Sequence, residues 1–171
     1  MAFTQDVFDH MVKHMYHGRY GHDIICRLKV VDERENGTPN LISFQTVVDQ
    51  SMLNPLNTLH GGACAILADV CTSFALAACN PEAFMSTTVD LHLQFLSSAV
   101  LGDTIQVQCT TSKVGSRMAY LQFTILNLGN HHNATVEKGA ESSPPKVMAV
   151  GTHTKYILKS SLYQSFNCLG I

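Results

Sequence analysis

The chain has 171 residues, 46% of them hydrophobic and only 14% charged, with a formal net charge of −2 at pH 7. That length fits one domain spanning 1–171, and the near-neutral charge excludes the basic field of a nucleic-acid-binding protein. So much apolar material under so few charges predicts an apolar face covered by another copy of the chain.

Residues 3–16 place Phe3, Val7, Phe8, Met11, Val12 and Met15 at helical spacing, which predicts an N-terminal helix within 1–20. His10, His14 and His17 share one face of it, but no carboxylate or cysteine pattern completes a metal site beside them. They read as a solvated face, and no metal is expected. Asp6 and Asp9, with no long apolar run, argue against a secretory signal and a transit peptide. The expected setting is intracellular, cytoplasmic with a mitochondrial location left open. "DIICRLKVVD" and "LISFQTVVD" read as two strands of a hairpin joined by the turn chemistry of "ENGTPN". The sequons at 36–38 and 133–135 read as polar loops.

"NPLNTLHGGACAILAD" follows. From about Gly61 to Ala78 the chain is apolar on nearly every helical face, and Asn80 and Pro81 stop it. Such a helix is covered on most sides. No window is expected to be long and apolar enough to span a membrane. Six cysteines, none in a CxxC pair, read as reduced thiols, three of them inside this run.

In "TTVDLHLQFL", Val89, Leu91, Leu93 and Phe95 fall on one face and Thr88, Asp90, His92 and Gln94 on the other. "TIQVQCTTSKV" and "MAYLQFTILNL" alternate in the same way around the turn "GSR". Residues 130–145 form a polar loop rich in Gly, Ser and Pro; "KVMAVGTHTKYIL" is the last strand, and the tail from Lys159 carries no clear pattern. Antiparallel strands with one long apolar helix predict an α+β fold, a curved antiparallel sheet wrapped around a central helix.

A helix start leaves N–H groups without partners and carries partial positive charge. Glycines let a ligand approach that backbone closely. "HGG" at residues 60–62 therefore suits a developing oxyanion. Asp69 lies about two turns further in, at ~3.6 residues per turn, on a face shared with Ala65, Ile66, Thr72 and Ser73, the last two with hydroxyls placed to hold it. A carboxylate of this kind can activate water or attack a carbonyl. Residue types alone leave a second account open, in which Gly-Gly is a tight loop and Asp69 pairs with a local hydroxyl.

"LNTLHGGACAILADVCTSFALA", together with "TTVDLHLQFLSSAVLGD", "KVGSRMAY" and "GTHTKYI", resembles the hot-dog-fold acyl-CoA thioesterases, most of all the phenylacetate-degradation type. The resemblance runs from about Asn54 to Tyr156. It implies hydrolysis of acyl-CoA to a free acid and CoA, without a cofactor, in a homodimer or homotetramer whose sites lie between subunits. By the same resemblance Asn54 polarises the thioester carbonyl or orients water, His60 sets the loop near the leaving sulfur, and the Gly61 N–H contacts the oxyanion. Asp69 of the partner acts as general base or nucleophile, and Thr88 stands where the family often has a water-holding Ser. Asn57 stands where the family commonly has Gly and is a second candidate for the amide role. Gly62, Lys113, Ser116 and Arg117 are the further substrate contacts, the last three in a hairpin where the family tends to meet CoA phosphates. The competing reading is a non-catalytic acyl-CoA-binding module, disfavoured because Asn54, His60, Gly61 and Asp69 are all present; dehydratase or hydratase chemistry fits the Asp after "HGG" less well.

Overall fold

The computed structural model describes residues 3–31, 40–130 and 144–158. Both sequons, most of the 130–145 loop, His131, His132, Cys168 and the tail lie outside them. The N-terminal stripe folds as helix α1 (Gln5–Met15), started by the Thr4 hydroxyl, which accepts from the Val7 N–H. Its apolar face seats Phe8 against Phe44 and Phe74, with ring centroids 5.7 and 4.8 Å apart, and Phe3 joins the same cluster. Phe8 is fully buried, worth on the order of 1.5–3 kcal/mol for a side chain of this size.

The next segment departs from expectation. "DIICRLKVVD" is not one strand: it opens as a single helical turn, α2 (His22–Ile25), and only Lys29–Val31 is extended, as β1. Ile25 and Leu28 are both buried, and a spacing of three between inward residues suits a turn rather than a pleat. β2 (Leu41–Val47) pairs with β1 antiparallel, as the hairpin reading required.

The long apolar run becomes α3 (Gly61–Cys79), ended at Asn80 before a 3-10 turn over Pro81–Ala83. By length and composition α3 would serve to cross a bilayer, which corrects the expectation that no window would. Its own fold uses it differently: Leu67, Ala68, Cys71, Ala75 and Leu76 are fully buried. Many of its residues are Ala or Cys, so the strands can approach the helix axis closely. β3 (Ser86–Phe95), β4 (Thr104–Val114), β5 (Met118–Gly129) and β6 (Lys146–Ile157) follow. The six strands form one antiparallel sheet in the order β1-β2-β4-β5-β6-β3, curved about α3.

Two features of β3 position the residues around α3. Among the described residues it is an edge strand, paired with β6 alone. It also carries a bulge: Thr88 lies opposite Lys155, but Asp90 lies opposite Thr154, so Val89 is the extra residue. A bulge breaks the period of two and re-aims side chains on one side of it. Thr88 consequently joins the helix-facing side with Leu91, instead of the solvent-facing set that unbroken alternation assigns to it.

Candidate active site

The site is built from the middle of α3, the start of β3 and the end of β6. Asp69 is half-exposed, not buried as its apolar neighbours suggest, with 44% of its side chain accessible. The Thr88 hydroxyl lies 2.9 Å from its Oδ1, a bond the bulge at Val89 makes possible. Thr88 Oγ1 is also 3.0 Å from Nε2 of His153, which is 3.4 Å from Asp69 Oδ1. On its other side His153 Nδ1 lies 2.6 Å from the Thr72 hydroxyl. The Thr72 and Ser73 hydroxyls do not hold the Asp69 carboxylate; they reach its backbone carbonyl, at 3.1 and 2.6 Å.

The tautomer of His153 decides how Thr72 is used. With the proton on Nε2, Nε2–H donates to Thr88, the Thr88 hydroxyl donates to Asp69, and the one Thr72 hydrogen serves Nδ1 in place of the Ala68 carbonyl 2.6 Å away. The opposite tautomer frees Thr72 for that carbonyl but aims the Nε2 lone pair at the carboxylate. His153 is wholly buried. Burial first, then the Lys155 ammonium, lower its pKa to about 4, with Asp69 and Asp90 pulling partly the other way. The imidazole is therefore neutral near pH 7.

Lys155 is buried as well, and its Nζ donates to Ser73 Oγ at 2.7 Å. Burial lowers its pKa and the Asp69 charge raises it. Tyr16 approaches from the end of α1; burial first, then Asp69, push its phenol upward. Sequence reasoning missed His153, Lys155 and Tyr16. A signal was present for two of them: period two puts His153 and Lys155 on one face with Ala149 and Gly151, an unusual pair of polar residues for a helix-facing row.

The "HGG" loop takes a different shape from a row of free donors. His60 is the N-cap of α3, and its Nδ1 accepts from the Gly62 N–H at 2.8 Å. The Gly62 N–H is thus spent inside the chain. The Gly61 N–H has no partner among the described residues, so it alone of the pair is available to an oxyanion. Asn54 is a loop organiser: its Oδ1 accepts from Leu56 and Thr58 N–H, and its amide donates to Thr58 Oγ1 at 2.8 Å. One amide hydrogen remains for a ligand. Asn57 sits at φ +57, the left-handed region that Asn tolerates better than most residues. It is a backbone conformation that a glycine would also adopt without strain.

Lys113, Ser116 and Arg117 are exposed at the β4–β5 turn. The Arg117 carbonyl accepts from the Ile157 N–H, which places this turn at the same end of the sheet as the Thr88–Lys155 row. Within one chain, however, Gly61 and Asp69 are far apart. Eight residues along a helix at ~1.5 Å each separate them by about 12 Å, too far to serve one carbonyl. Among the described residues no group of three or more His, Cys, Asp or Glu is gathered to hold a metal.

Residues 56–132 match the thioesterase superfamily model. The structure is similar to thioesterase superfamily member 2 of zebra fish, with a TM-score of 0.70 over 92% of this chain and 100% of that one at 20% identity. The chain carries the hot-dog fold of the thioesterases. In sequence it is 26% identical over 156 residues to acyl-coenzyme A thioesterase 13 of Homo sapiens, covering 91% of this chain and 97% of that relative. A Streptococcus mutans protein solved with acetyl-CoA is similar over 77% of this chain and 88% of its own, at a TM-score of 0.59 and 18% identity.

Proposed function

We propose that this hot-dog protein is an acyl-CoA thioesterase and that Asp69 is its general base. The observation that carries the reading is the half-exposed Asp69 carboxylate, fixed by the Thr88 hydroxyl and backed by a neutral, buried His153. The similarity to acyl-coenzyme A thioesterase 13 supports the substrate class.

The two halves of the site come from two copies. Among the described residues β3 leaves an unpaired strand edge flanked by exposed Val89, Phe95 and Leu96, a combination that favours pairing with a second chain. A side-by-side dimer through this edge sets the Gly61 end of one α3 near Asp69 of the other and removes the obstacle of an intrachain span of about 12 Å. Asp69 then takes a proton from water as the water oxygen attacks the thioester carbon. The Gly61 N–H, at the positive end of α3, and the spare Asn54 amide hydrogen stabilise the oxyanion. The tetrahedral intermediate collapses, the C–S bond breaks, and the proton passes from Asp69 to the CoA thiolate. Lys113, Ser116 and Arg117 bind CoA phosphates at the exposed turn, where Arg offers a planar fork to phosphate oxygens. The buried thiols Cys64, Cys71 and Cys109, none in a disulfide, suit an intracellular compartment.

Asp69→Asn is the direct test. It preserves shape and removes the base, so thiol release from a panel of short, long and aromatic acyl-CoAs should fall by about 10³-fold while the sedimentation coefficient stays that of a dimer or tetramer. A folded Asp69→Asn protein with wild-type turnover would remove Asp69 from the mechanism. A single turnover in ¹⁸O-water tests for attack by the carboxylate: label left on Asp69 shows an acyl–Asp69 anhydride opened at the Asp69 carbon and overturns the general-base reading, which puts the label in the released acid.

A further inference from the structure

We propose that Lys155 is a positioning residue of this site: its buried ammonium, tied to Ser73, fixes the Asp69 turn of α3 against β6 and sets the charge on the covered side of the Asp69–Thr88–His153 chain. The inference rests on the reading of Asp69 as the base.

The first support is the cost of the residue. Lys155 is only 4% exposed, and a buried ammonium is unfavourable unless it is hydrogen-bonded and faced by opposite charge. Packing does not demand it. Ala119 of β5 and Thr88 of β3 stand opposite Lys155 in the two flanking pairings, and a methionine would fill a similar volume. A cation retained where an apolar side chain would fit points to use of the charge.

The second support is connectivity. Nζ donates to Ser73 Oγ at 2.7 Å, and Ser73 Oγ donates to the Asp69 carbonyl at 2.6 Å. Two hydrogen bonds thus run from β6 to the backbone of the residue that carries the carboxylate. Lys155 and His153 lie two residues apart on one face of β6, with Thr88 and Leu91 opposite them on β3.

The third support is the distribution of charge. The groups acting on His153 are Lys155 beside it on β6, Asp69 on α3 and Asp90 on β3; β5 contributes Leu121 opposite His153 and nothing titratable there. Tyr16 reaches the Asp69 side from the α1 end, and Arg19 acts on Tyr16. Lys155 is the cation that acts on His153, and it opposes protonation of the imidazole. Without it the burial of His153 remains but one opposing charge is lost, so the imidazole 3.4 Å from Asp69 protonates more readily, and an ion-paired carboxylate is a weaker base. Lys155 thereby adds to burial in keeping His153 neutral.

The test is a set of pH profiles of kcat/KM with one acyl-CoA. In Lys155→Met the acidic limb should move to higher pH by about one unit, with kcat at pH ~7.5 reduced about tenfold and KM little changed, because Lys155 lies behind the site. Lys155→Arg should bring the limb back. Lys155→Gln keeps a donor for Ser73 without the charge, so it should recover part of kcat and still show the moved limb; it carries the test if the Met variant does not fold. Independently of activity, the His153 ring signals in NMR should titrate at higher pH in Lys155→Gln than in wild type. An unmoved limb and an unmoved His153 titration, with Asp69→Asn inactive, overturn the inference alone. Turnover surviving in Asp69→Asn overturns the reading of the site and this inference with it.

Discussion

Replacing Thr88 by valine is the most informative single change outside Asp69. Valine keeps the branched shape and suits a strand, so the fold should tolerate it. What disappears is one oxygen that lies 2.9 Å from Asp69 Oδ1 and 3.0 Å from His153 Nε2. Both neighbours are affected: the carboxylate loses its donor and the imidazole loses its acceptor. A hydrogen bond to a charged group contributes about 1.5–3 kcal/mol, and at about 1.4 kcal/mol per factor of ten this lowers kcat/KM by roughly 10- to 150-fold. Thr88→Ser retains the oxygen and should stay within about threefold of wild type. Thiol release followed with a chromogenic thiol reagent measures both, and urea unfolding checks that the variants are equally stable. A Thr88→Val enzyme with wild-type kcat/KM and unchanged stability would show that the Asp69–Thr88 contact has no role in the chemistry, and the general-base reading would lose its geometric support.

Burial and close packing set the remaining expectations. His153 titrates at about 4 in the fold against an ordinary value of 6.5. The unfolded chain therefore binds the extra proton first as pH falls, and its contribution to stability should be full above pH 6.5 and decline between 6.5 and 4; His153→Gln should flatten that part of a plot of urea midpoint against pH. Gly151→Ala should destabilise the sheet by about 1–3 kcal/mol, because a Cβ there would meet the His92 carbonyl and the Phe123 ring; chemical unfolding would show it as a lower midpoint.

Much of the architecture is legible in the sequence. Helix α3 begins at Gly61 as its glycine pair and cap suggest, and β4, β5 and β6 lie where alternation puts them. Their signals are local: period two for a half-buried strand, turn residues between strands, a proline to stop a helix. The "HGG…D" motif is equally legible. The single turn at His22–Ile25 is not, because adjacent isoleucines fit either a strand or one turn of helix, and packing of Ile25 and Leu28 decides between them.

The chemistry of the site depends on relations that no local pattern carries. Residues 69, 72, 73, 88, 153 and 155 meet through an edge strand that pairs with β6, and Thr88 and His153 are 65 residues apart in sequence. The bulge at Val89 reverses the face of Thr88, and the covered side of α3 turns His153 from an ordinary titrating histidine into a neutral one. Sequence by itself determined the elements, the long buried helix and the candidate carboxylate, because side-chain period and turn chemistry act over a few residues. Only the tertiary structure decided which hydroxyl touches that carboxylate, which N–H of the glycine pair stays available and which cation stands behind it, because those depend on strand register and burial.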